Sequence, residues 1–173
     1  MTKDLELRTP YSSTEVEGTV EHSVVASVIT ALEAIAHPTS ALGYFRKLTG
    51  WNAYSKRNYG ISDFPKGEVF VTAKQGTARS VGSTVEVTDM AVTIRVMRKA
   101  SVGNPYDPQE VLYLWAEGCT AVHNDGMNDL FSNSNIRKVK PQYDLRYLWA
   151  ENAAGDPIEV LKYEFTITIH KSH

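Results

Sequence analysis

Cysteine is nearly absent: Cys119 is the single one in 173 residues. No intrachain disulfide can form, so packing and hydrogen bonds must hold the fold, as expected of a protein made in a reducing compartment. No apolar run approaches the ~20 residues that a membrane-spanning helix needs. The opening stretch MTKDLELRTPYSSTEVEG lacks the apolar centre of a secretory signal. An excess of one charge is missing too. Eighteen Lys and Arg stand against 20 Asp and Glu, for a net of −2, which gives no bulk attraction to nucleic acid or to an anionic bilayer.

Catalytic signatures are equally scarce. There is no G-x-S-x-G, and the loop QGTARSVGS has neither the glycine spacing nor the Lys-Ser/Thr ending of a phosphate loop. His170 and His173 are three apart at the end of a strand pattern, where such residues face opposite sides, and no Cys cluster accompanies them. Dispersed acids such as Asp63, Asp89, Asp125 and Asp129 read as turn and cap residues. The expectation is a non-enzyme with no catalytic residue, metal or cofactor.

What is present is enough for a core: 42% apolar and 22% charged residues, typical of one globular domain. Residues 1–18 are polar, mixed in charge and interrupted by Pro10, which predicts an extended N-terminal arm, with a single domain over 19–173. Thr19 can cap a helix to about His37, with Val20, Val24, Val28 and Leu32 on one stripe and Pro38 as its stop. A further helical turn or two is expected over Ser40–Leu48. EVFVTAK from Glu68 predicts a strand, and Thr84–Lys99 a longer one. There the apolar parity switches at Thr88–Asp89, as a β-bulge or a tight turn would make it do.

Asp107-Pro108-Gln109-Glu110 has the form of a helix start, and Val111, Leu114, Trp115, Cys119 and Val122 give that helix a stripe. Cys119 on it reads as a buried structural thiol. The basic run Ile136–Lys140 reads as a solvated strand edge guarded by Pro141. YDLRYLW then puts Tyr143, Leu145, Tyr147 and Trp149 on one face. AENAAGDP turns the chain into LKYEFTITIHKSH, which alternates apolar and polar almost without fault. The predicted class is α+β, a mostly antiparallel sheet with helices on one face, in the order α-β-β-α-β-β.

Two features point outward. The loop WNAYSKRNYG mixes Trp51, Tyr54 and Tyr59 with Lys56 and Arg57, and Phe64 follows in ISDFPKG. Such residues anchor protein contacts, can stack on nucleic-acid bases, or simply tuck back onto their own domain. The second feature is length. A strand over Thr84–Lys99 reaches about 50 Å at ~3.3 Å per residue, against about 28 Å for the first helix. Ribbons that outrun their helices need neighbours to cover them.

This plan resembles the tail terminator (tail-completion) proteins of long-tailed bacteriophages. The likeness lies in ISDFPKGEVFV entering the first strand after a long loop, in MAVTIRVMRKA ending a long strand before a helix, and in a C-terminal hairpin closing on EVLKYEFTITIHKS. It covers most of the chain from Thr19 and is one of pattern, without a diagnostic motif. The resemblance implies a non-enzymatic virion protein made in the host cytoplasm. Its homo-oligomeric ring, usually a hexamer, would cap the tail tube, meet the head connector and let DNA pass its lumen without binding it. Trp51, Tyr54, Lys56, Arg57, Tyr59 and Phe64 would then be interface residues. Another neck, head-completion or tail-tube subunit fits the same plan.

Overall fold

A computed structural model describes residues 13–40, 42–54, 59–76, 82, 85–100, 107–125, 130 and 132–172. In chain order the elements are helices α1 (Ser13–Glu17) and α2 (Val20–Ala34), and strands β1 (Trp51–Asn52), β2 (Lys66–Gly76) and β3 (Val85–Lys99). Helix α3 (Asp107–Asp125) and strands β4 (Ile136–Glu151) and β5 (Pro157–Ser172) follow. The strands form one five-stranded sheet of order β1-β2-β3-β5-β4. The class is α+β. The sheet is mixed, because Trp51 and Asn52 pair parallel with Gly67 and Glu68 while every other pairing is antiparallel.

Within the stretch read as an extended arm, Ser13–Glu17 instead make a helical turn, closed by Gly18 N donating to Thr14 O at 3.0 Å. Residues 1–12 lie outside the described residues. Thr19 caps α2 as expected: its backbone is extended and its Oγ1 accepts from His22 N at 3.3 Å. The helix ends at Ala34, three residues short of His37. Ile35 turns extended and Ala36 bridges Gly43, a geometry that suits a chain whose His37 must stay out of the helical region before Pro38. The segment Ser40–Leu48, expected to be helical, forms turns, with Arg46 N bonding Gly43 O and Leu48 N bonding Phe45 O.

The expected bulge at Thr88–Asp89 is not there. The register of β3 on β5 runs unbroken from Val85/Ser172 to Lys99/Ile158. Val87 is 47% exposed on one face while Thr88 is buried on the other, so the parity of apolar residues misreported the parity of the core. The irregularity lies across the ladder in β2, between Val71 and Ala73. Leftover length there changes which residues face in: Val69 is buried before it, and Lys74 occupies the same face after it, paired with Glu21 of α2 at 2.8 Å.

Strand β4 begins at Ile136, so the basic run is its first part, at the sheet edge. Register shifts fall between Ile136 and Lys138 and between Val139 and Tyr143. Pro141 sits in the second shift, where a missing N–H interrupts no regular ladder. The hairpin to β5 turns on Asn152, whose Oδ1 accepts from Ala154 N at 3.0 Å and Asp156 N at 2.8 Å, and on Gly155 at φ +82°.

Val24, Val28 and Leu32 of α2 and Leu112, Trp115, Cys119 and Val122 of α3 join one cluster. Its sheet members are Met90, Val92, Ile94 and Val96 of β3 and Leu161, Tyr163, Phe165, Ile167 and Ile169 of β5. Burial pushes the Cys119 thiol up, which keeps it protonated and unreactive. A second, smaller cluster forms on the opposite parity at the far end of the strands, where Tyr59 and Phe64 cover Met97, Ile158 and Val160. Among the described residues no helix is long and apolar enough to cross a membrane.

Candidate interaction surface

Among the described residues of the aromatic loop, two rings turn inward. Trp51 is half-buried in β1, edge-on to Phe45 with ring centroids 5.2 Å apart, and it rests on Gly67. Tyr59 is 6% exposed. Its hydroxyl accepts from Asn52 Nδ2 at 2.7 Å and donates to Glu68 Oε2 at 2.8 Å. That contact and Arg95, at 3.6 Å, help to settle a fully buried Glu68 carboxylate. Phe64 is buried against Tyr59. Lys56 and Arg57 lie outside the described residues, and of the four described candidates Tyr54 alone is well exposed, at 58%. Tyr59 and Phe64 thus come together as packing on the second cluster, while Trp51 packs against the first.

Exposed apolar side chains gather elsewhere, at the edge strand β4. Tyr143, Tyr147, Leu148 and Trp149 are 52%, 44%, 41% and 67% exposed. Tyr143, Tyr147 and Trp149 share the face of Phe165, Leu161 and Glu159, their partners in β5. Tyr143 meets His123 of α3 edge-on, with ring centroids 5.9 Å apart. Tyr143 stacks on Tyr163 at 5.1 Å and 16°, and Tyr147 meets Tyr113 of α3 edge-on at 5.4 Å. An open cleft of about 450 Å³ between α3 and β4 carries Tyr44, Tyr113, Glu117, Thr120 and Tyr147 on its walls. Alternation had placed the β4 aromatics on one face; the missed signal was that this face belongs to the last strand, next to a Pro-marked edge.

The irregular stretch at Pro141 is pinned from inside. Buried His123 at the end of α3 has Nε2 2.6 Å from the Lys140 carbonyl and Nδ1 2.6 Å from the Tyr163 hydroxyl. A carbonyl only accepts, so Nε2 carries a proton, and with the ring neutral Nδ1 accepts from Tyr163. Burial raises the Tyr163 pKa and so favours the protonated phenol that this bond requires.

The opposite face is polar and charged. Arg95, Lys162 and Arg146 lie side by side across β3, β5 and β4, and the next row holds Thr93, Glu164 and Asp144. Rows of opposite sign bond along the strands, Lys162 to Glu164 at 3.6 Å and Arg146 to Asp144 at 2.9 Å, while Thr93 donates to Glu164 at 2.8 Å. Further along, Asp89 accepts from Thr168 at 2.7 Å and from Lys140 at 2.9 Å, and these bonds hold its carboxyl below the usual range. Among the described residues no group of three or more His, Cys, Asp and Glu is placed to hold a metal. No protein-family model and no curated protein matches this sequence.

Proposed function

We propose that the protein is a structural subunit of a bacteriophage virion, whose copies close into a ring, by analogy hexameric, at the junction of tail tube and head connector. The fold plan behind this reading is α-β-β-α-β-β with both helices layered on one side of the sheet. The observation that carries it is the mismatch of lengths. Strands β3, β4 and β5 run 15, 16 and 16 residues, about 50 Å each, beside helices of 15 and 19 residues, about 22 and 28 Å. The edge strand β4 bears the exposed aromatics, and long edge strands with apolar side chains are sites of pairing between chains. A mild net negative charge suits a lumen through which DNA slides without sticking.

The reading of the Trp51–Tyr59 loop as a nucleic-acid site has less support, since the rings of Trp51 and Tyr59 are engaged within the fold and stacking needs free ring faces. Negative-stain microscopy of the concentrated protein, alone and mixed with tail tubes, tests the proposal. Rings and capped tube ends are expected. Uniform monomers that leave every tube end bare would overturn it.

A further inference from the structure

The outer edge of β4 is open: among the described residues no strand pairs with it on the side away from β5. Past the Pro141 irregularity its pattern is nearly its own mirror. Reading outward from Leu145 in both directions gives Asp144 against Arg146, then Tyr143 against Tyr147. Asp144 and Arg146 lie on the charged face with side chains 52% and 65% exposed, and Tyr143 and Tyr147 lie on the helix-bearing face.

We infer that in free solution β4 pairs antiparallel with β4 of a second copy about a two-fold axis at Leu145, placing Asp144 opposite the other chain's Arg146 and Tyr143 opposite its Tyr147. The inference rests on the reading of this chain as a self-assembling subunit; a two-fold contact closes on itself, so it describes a dimer of free copies, which must open before head-to-tail contacts can close a ring. A two-fold along an antiparallel pair sets each side chain against one on the same face. Both sheets then continue into one, with the helices of both copies on the same side.

Charge selects the register. Centring the axis one residue either way puts Arg146 against Arg146 or Asp144 against Asp144, and like charges directly opposite destabilise a ladder. Centring it at Tyr147 leaves Asp144 facing Ala150 and Arg146 facing Leu148, so that the two charges gain nothing across the seam beyond their own intrachain pair. At Leu145 each carboxylate meets a guanidinium twice by symmetry, and each tyrosine gains a cross-strand aromatic partner. A heterologous partner would have no reason to match this internal complementarity, so a second copy is the occupant that the chemistry specifies.

The test uses the full chain. Asp144→Arg gives a strand with two positive charges and Arg146→Asp one with two negative charges, both at exposed positions that leave folding intact. Sedimentation over a concentration series is expected to show wild-type dimers and, for each variant alone, dimerisation weaker by about tenfold. An equimolar mixture of the two variants is expected to recover wild-type affinity as heterodimers. Leu145→Cys is expected to give an interchain disulfide on mild oxidation, because residues opposed on the axis stand about 4.5–5.5 Å apart at Cα. Wild type that stays monomeric throughout, or single variants that pair as well as wild type, would overturn the pairing. Either result leaves the ring proposal standing, because a cyclic ring is built from head-to-tail contacts and not from this two-fold one.

Discussion

The indole of Trp51 occupies the space where a β-carbon on Gly67 would stand, so the parallel pairing of β1 with β2 depends on that position having no side chain. This contact turns an apparent surface aromatic into part of the fold. Gly67→Ala is expected to push Trp51 off β2 and destabilise the protein by about 2 kcal/mol, the usual cost of overpacking. Denaturant titration followed by tryptophan fluorescence measures it. An unchanged midpoint would show that the indole moves aside freely.

Alkali should unfold this protein early. Burial is the main cause holding the hydroxyls of Tyr59 and Tyr163 above their ordinary 10.0 and the Cys119 thiol above its ordinary 9.0. The folded state keeps these protons where the unfolded chain releases them. The stabilisation is therefore full below the unfolded values and is lost as pH climbs through 9.0 and 10.0 toward the raised ones. Each group steepens the loss by up to about 1.4 kcal/mol per pH unit. Unfolding midpoints taken from about pH 8 to about pH 11 should fall with rising slope. Tyr163→Phe should flatten that slope, and a curve of the same steepness would refute the assignment.

His123→Phe keeps the ring volume in the core but strips the partner from the Tyr163 hydroxyl and the Lys140 carbonyl. Leaving two polar groups short of a bond should cost about 2–4 kcal/mol. Hydrogen exchange should quicken first at Lys140–Tyr143, where β4 departs from its regular register. A uniform change across the sheet would mean that the histidine acts only as filler.

Fluorescence quenching can follow the edge directly. Trp115 is buried and Trp51 half-buried, whereas Trp149 is 67% exposed. Iodide should quench chiefly Trp149 in dilute protein, and that quenchable fraction should shrink as concentration rises and copies associate through β4. Trp149→Phe should abolish the concentration dependence. Quenching that is independent of concentration in wild type would place the contact elsewhere.

Much of the fold was legible because it follows from local chemistry. The Thr19 cap, the stripe of α2, the helix starting at Asp107 and the alternation of β5 each need only a few neighbouring residues to declare themselves. The misses share a cause: each was decided across the sheet. Two-residue β1 exists because Gly67 admits Trp51. The bulge sits in β2 because β3 is held straight by β5 on its other side. How far an aromatic is exposed is decided in the same way. Tyr59 finds a hydrogen-bond acceptor in Glu68 and turns inward, while Trp149, on the regular part of the edge strand, is left in the open. Local pattern says which side an aromatic lies on, and distant elements decide whether anything covers it.

Pro141 gives the outer rim of β4 a built-in stop. A neighbouring strand zipping along Tyr143–Glu151 toward the start of β4 runs out of amide hydrogens at the pyrrolidine ring, just where the backbone also bends out of step with β5. Any seam made on this rim therefore has a fixed terminus. The charges flanking Leu145 choose the alignment of adjoining molecules, and one imino acid marks where their regular seam gives out.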